Sequence, residues 1–137
     1  MADVVPPMNV TLEWDSELQF TGQAGKHEVG IDGSTYTAPA PMQMLALALA
    51  GCMAIDLVHI LKRGRHELNA LEAKFTGERA QVDPKRFTKI TLHFTLDTNA
   101  PADQIQRAID LSHEKYCSVW HSLRQEIEFT ASFTIAS

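Results

Sequence analysis

Cysteine is scarce in this chain, with two among 137 residues, too few for a disulfide scaffold. Positive charge is scarce as well. Twelve Lys and Arg against seventeen Asp and Glu leave a net charge of −5, whereas a nucleic-acid partner calls for concentrated positive charge. The one dense basic cluster, Lys62-Arg63-Gly64-Arg65-His66, reads as the end of a helix, where cations meet the negative end of the dipole. No CxxC or HExxH pairing is present, and the six histidines do not fall at ligand spacing. Glycine-rich phosphate loops and a GxSxG elbow are missing too, so neither a metal nor any other cofactor is implied. Met1 to Met8 has no basic segment followed by an apolar run, and no signal peptide is expected. The expected compartment is therefore the cytosol, where thiols are kept reduced and a disulfide is usually transient and functional.

What is present reads as one α+β domain over residues 1–137. Hydrophobic residues make up 45% and charged residues 21%, ordinary globular values. Val10, Leu12 and Trp14 alternate with polar neighbours, as do Leu18 and Phe20. Gly25 separates the second run from His27–Ile31, and Asp32-Gly33 has the composition of a hairpin turn, so a β-meander is expected. Further strands are expected around Leu71–Thr76, Lys89–Leu96 and Ile127–Ile135, each alternating between an apolar and a polar face. An amphipathic helix from Pro101 to about Lys115 and a short one from Ser118 to Arg124 precede the last strand.

Between the two groups of strands lies a run from Met42 to Leu61 in which nearly every residue is apolar or small. Its length would suit a membrane span, but Gln43, Asp56 and His59 interrupt it and the rest of the chain is patterned as a soluble sheet. No membrane partner is expected. The run reads instead as a helix buried on all sides, with Gly64 just past its end. One small sheet covers only one face of such a helix, and the opposite face must find another apolar surface. A second copy of the chain, packed across a two-fold axis through the stripe Ala46, Ala50 and Ala54, supplies it. A homodimer is expected.

Two thiols stand out within this frame. Cys52 sits mid-way along the apolar helix, and Asp56 follows one turn later. An ionised carboxylate there needs a partner, such as Arg63 or a residue of a second subunit, or else a polar pocket opening beside Cys52. Cys117 stands between two helical stretches, at the start of the second, where unpaired N–H groups and the dipole favour a thiolate. The bland alternative for each is a buried structural cysteine. The thiols are 65 positions apart, and spacing does not say whether they meet.

At these residues the chain resembles the osmotically inducible protein C and organic hydroperoxide resistance (OsmC/Ohr) family. The resemblance runs through Ala40-Pro41-Met42-Gln43-Met44-Leu45, Ala50-Gly51-Cys52-Met53-Ala54-Ile55-Asp56, Phe75-Thr76-Gly77-Glu78-Arg79, Pro84 to Ile90, and Arg107 to Val119. It implies an OsmC-like intertwined homodimer with antiparallel sheets wrapped around long central helices. It also implies a thiol-dependent peroxidase that reduces organic hydroperoxides, with Cys52 attacking the peroxide and Cys117 resolving it. The implied partners are a small hydrophobic peroxide or ligand, in an apolar pocket of Leu45, Leu49 and Met53, and an external thiol reductant. Gln43 and Asp56 are candidates for polar support.

The family's efficient peroxidases pair an activating glutamate near this helix with an arginine of the N-terminal sheet. Gln43 stands nearest the glutamate, and before Arg63 there is no arginine, only Lys26 and His27 as cationic candidates. Arg79 is a further candidate cation, its alternative being a solvated pair with Glu78. The chain therefore resembles the less characterised branch of the family. A binding protein for a small hydrophobic ligand, or a redox sensor, remains an open reading.

Overall fold

A computed structural model describes residues 4–136. They divide into two compact units, one ending at Leu45 and the other beginning at Ala46.

The first unit is an antiparallel meander of β1 (Val10–Ser16), β2 (Gln19–Ala24) and β3 (His27–Asp32). The β2–β3 connection is the two-residue loop Gly25-Lys26, with Ala24 paired to His27. Gly25 has φ 61° there, a conformation glycine adopts without penalty. Asp32-Gly33 is not a hairpin turn. Asp32 ends β3, and its buried carboxylate gathers the N–H groups of Ser34, Tyr36 and Thr37 and the hydroxyls of Ser34 and Thr37. Those donors, the Ser34 hydroxyl foremost, hold it far below the usual carboxylate range. Asp32 thereby organises the loop to the long helix. Along β1, Val10, Leu12 and Trp14 are 67%, 53% and 67% exposed, an apolar strand face left uncovered in the single chain.

The long helix, α1, spans Pro41–Arg63. Proline suits its first position because that N–H has no partner in a helix. Gln43 accepts from the Ala40 N–H at 2.9 Å, the return half of a capping box. At the other end His66 N–H bonds Leu61 O and Arg65 N–H bonds Lys62 O, the bond pattern of a Schellman closure. The left-handed residue in that closure is Arg65, φ 63°, and not the expected Gly64.

The second unit holds a sheet in the order β4-β5-β6, formed by Leu68–Arg79, Phe87–Thr98 and Glu128–Ile135. β4 and β5 are antiparallel, but β5 and β6 are parallel, with Phe94 beside Phe133. The all-antiparallel expectation is corrected there. A parallel neighbour requires a crossover connection, which here comprises α2 (Ala102–Leu111), a π-helical turn (Ser112–Tyr116) and α3 (Ser118–His121).

Ile90, Leu92, Phe94 and Leu96 of β5 are fully buried with Met53, Leu57, Ile105 and Ala108. On α1 the buried positions Leu49, Met53, Leu57 and Leu61 recur every fourth residue, whereas Leu47 and Ile55 are 62% and 58% exposed. In the single chain α1 is thus buried along one stripe, not on all sides. It is long and apolar enough to cross a membrane by length and composition, but that stripe is committed to the core.

Candidate functional site

Helix α1 carries Cys52, half-buried, and Asp56 one turn further on. The opposing residues come from the end of α2, where the regular i→i−4 ladder gives way. Cys117 N–H donates to Ser112 O at 2.8 Å, an i→i−5 closure that makes the segment a π turn. The carbonyl of His113, which an α-helical Cys117 would have used, accepts instead from His121 Nε2–H at 3.0 Å.

This turn brings Cys117 beside Cys52. The nearby Cys52 thiol raises the pKa of Cys117, and both cysteines are free. Cys117 is fully buried and caps α3, its Sγ accepting from Trp120 N–H at 3.3 Å. The expectation of a favoured thiolate at this helix start is corrected. Burial pushes the Cys117 thiol up to about 11, and the neighbouring Cys52 adds to the rise. The N–H groups of Trp120 and Val119 oppose it without prevailing, because desolvation of a buried anion outweighs the few donors of a four-residue helix.

Asp56 finds its partner within the same region. The fully buried Ser112 donates its hydroxyl to Asp56 Oδ2 at 2.7 Å. Among the described residues Asp56 forms no ion pair with Arg63. A cleft of about 260 Å³ does open beside Asp56, lined also by His59, Ile60, Arg63 and Tyr116.

Gln43 is engaged at the start of α1 with Ala40 N–H. Leu49 and Met53 are closed into the core, while Leu45 is half-buried. Lys26 and His27 lie exposed at the β2–β3 hairpin. Arg79 Nε donates to Lys85 O at 2.7 Å, and Arg79 forms no ion pair with Glu78 among the described residues. Neither Ser112 nor His113 was among the functional residues expected from the sequence. The signal available for Ser112 was a serine at the inner face of an amphipathic helix, a position that calls for a hydrogen-bond partner.

The family model described as OsmC-like protein matches residues 32–132. Protein YhfA of Escherichia coli (strain K12) is 39% identical over 133 residues, covering 95% of this chain and 99% of that protein. A crystal structure of a hypothetical protein from Aquifex aeolicus superposes with a TM-score of 0.89 at 25% identity, covering 96% of this chain and 98% of the other. An organic hydroperoxide resistance protein OsmC from Legionella pneumophila shares the fold, with a TM-score of 0.71 at 14% identity over 96% of this chain and 99% of the other.

Proposed function

The chain belongs to the OsmC-like family, and from that premise we propose that it is a thiol-dependent peroxidase for organic hydroperoxides. The observation that supports this reading is the nearness of Cys52 to Cys117, two free thiols from distant parts of the chain. The half-buried Cys52 is the attacking residue and the buried Cys117 the resolving one. As a thiolate, Cys52 displaces the distal peroxide oxygen: an S–O bond forms, the O–O bond breaks, and the alkoxide leaves as the alcohol after taking a proton. Cys117 then attacks the sulfenic sulfur. The S–S bond forms, the S–O bond breaks, and hydroxide leaves with the Cys117 proton as water. Two equivalents of an external thiol restore the dithiol and become a disulfide.

An apolar reactant pocket favours an alkyl hydroperoxide over hydrogen peroxide, but Leu49 and Met53 beside Cys52 are closed into the core, and of the expected lining Leu45 alone is partly open. Turnover is modest, since Gln43 is neutral and serves the helix start, which leaves it no part in activating the thiol. The working unit is a homodimer that buries the exposed faces of β1 and α1, and its setting is the thiol-reducing cytosol.

A second reading, a binding or redox-sensing protein of the same fold, is favoured by the capping role of Gln43 and by the burial of Cys117. Reduced protein is treated with cumene hydroperoxide and, separately, with hydrogen peroxide, while free thiols and intact mass are followed. The peroxidase loses two thiols, becomes about 2 Da lighter, and reacts faster with the organic peroxide. Thiols that persist in excess cumene hydroperoxide exclude it in favour of the binding protein.

A further inference from the structure

Cys52 and Asp56 stand one turn apart on α1, while Ser112 opens the π turn and Cys117 caps it. The two pairs are joined at both levels. Asp56 accepts from the Ser112 hydroxyl at 2.7 Å, Ser112 O accepts from Cys117 N–H at 2.8 Å, and Cys117 lies near Cys52. The Asp56–Ser112 hydrogen bond thus links α1 directly to the segment that carries Cys117.

We propose that Asp56 is a positioning residue: through Ser112 it holds the π turn that presents Cys117 to Cys52. Three features of the turn carry this. A π closure is an uncommon departure from the helical ladder, and it recurs at functional positions. Here the departure is stabilised at each displaced group, with Ser112 O taken by Cys117 N–H and His113 O by His121 Nε2–H. Ser112 has no exposure to solvent, so its hydroxyl depends on Asp56, and a charged acceptor makes the stronger kind of hydrogen bond. The carboxylate also lies one turn beyond Cys52, so the same helix sets the position of both ends of the link. A disulfide forms in proportion to how well its two sulfurs are held in place beforehand, as with any intramolecular reaction. An anchor on α1 supplies that order.

The inference deepens the peroxidase reading, because a resolving step depends on the same proximity. Its test is independent of peroxide. The full-length protein is equilibrated in reduced and oxidised glutathione buffers, and the dithiol–disulfide equilibrium of Cys52 and Cys117 is read by alkylation and mass. Asp56→Ala lowers the stability of the disulfide about tenfold, a shift of about 30 mV for this two-electron couple. Ser112→Ala produces the same loss, and the double variant loses no more than either single one. Asp56→Asn stays close to wild type, because its amide oxygen still accepts the Ser112 hydroxyl. Circular dichroism identifies the variants that fold. If Asp56→Ala does not, Ser112→Ala and Asp56→Asn still decide the matter. An unchanged equilibrium in a folded Asp56→Ala or Ser112→Ala protein overturns the proposal, as does an Asp56→Asn protein impaired as much as the alanine variant. A normal clamp in a protein inert to peroxide would reject the peroxidase and leave the positioning role in place.

Discussion

The imidazole of His113 lies flat on the ring of Phe129, with centroids 4.5 Å apart and planes 7° apart. Trp120 packs against the same imidazole at 5.1 Å, and His113 Nε2 is buried with no hydrogen-bond partner. Burial lowers the pKa of His113, and the nearby His121 lowers it further. A histidine whose folded value lies below its unfolded value binds its proton more readily in the unfolded chain. Its neutral state is therefore harmless above the unfolded value of about 6.5, and stability is lost as the pH falls through and below it. His113→Phe keeps the ring stack and removes the proton. Urea midpoints at about pH 7.5 and about pH 5.5 should show the variant gaining on wild type at the lower pH. Parallel pH slopes would argue against a buried neutral His113.

Cys117 offers a reactivity test. In a Cys52→Ser background it is the single thiol, and burial, the main cause of its raised pKa, persists. Its alkylation by iodoacetamide at about pH 8 should run about 10- to 100-fold slower than that of an unstructured cysteine, in keeping with the smaller thiolate fraction. A rate equal to that of a free peptide thiol would show Cys117 to be accessible and ionised.

The two sides of α1 should respond differently to substitution. Leu57 is fully buried, and Leu57→Ala should destabilise the fold by about 2–5 kcal/mol. Ile55, 58% exposed, contributes little to the single chain, but a carboxylate there would oppose any apolar contact with a second copy. Sedimentation should find Ile55→Asp shifted towards monomer relative to wild type. An unaltered profile would remove this face from the dimer interface.

Gly77 is closely covered by aromatic rings. A Cβ at that position would meet Phe87 Cε1 at 2.6 Å and Phe75 Cε1 at 2.7 Å, and the two rings are themselves packed edge to face at 5.3 Å. Gly77→Ala should destabilise by about 1–3 kcal/mol through overpacking, measured by denaturant midpoint. No loss would mean that the rings shift freely. The Gly77-Glu78-Arg79 triplet thus owes its glycine to packing on β4.

Local pattern was sufficient to locate most elements. The alternation of Ile90, Leu92, Phe94 and Leu96 marked β5 and its buried face, because a strand's two-residue period is written directly in the chain. The apolar run marked α1 to within two residues of each observed end. Asp32-Gly33 misled because a carboxylate followed by glycine suits both a turn and a loop anchor, and only the positions of Ser34, Tyr36 and Thr37 distinguish them. Gly64 misled in the same way: the left-handed position fell one residue later, on Arg65.

The two cysteines and the carboxylate beside one of them were legible as candidates, since residue type alone sets which side chains can carry thiol chemistry. Their nearness was not, because a separation of 65 positions and a π turn decide it, and the hydrogen-bond register of a helix end has no sequence period of its own. The same holds for the raised pKa of Cys117. The dipole argument requires only a neighbouring helix start, whereas desolvation depends on which other elements close over the sulfur. The parallel placement of β6 likewise follows from where the crossover returns the chain. Composition and periodicity are local properties and determined the elements and the available chemistry; proximity and burial are collective properties, and the tertiary structure alone decided them.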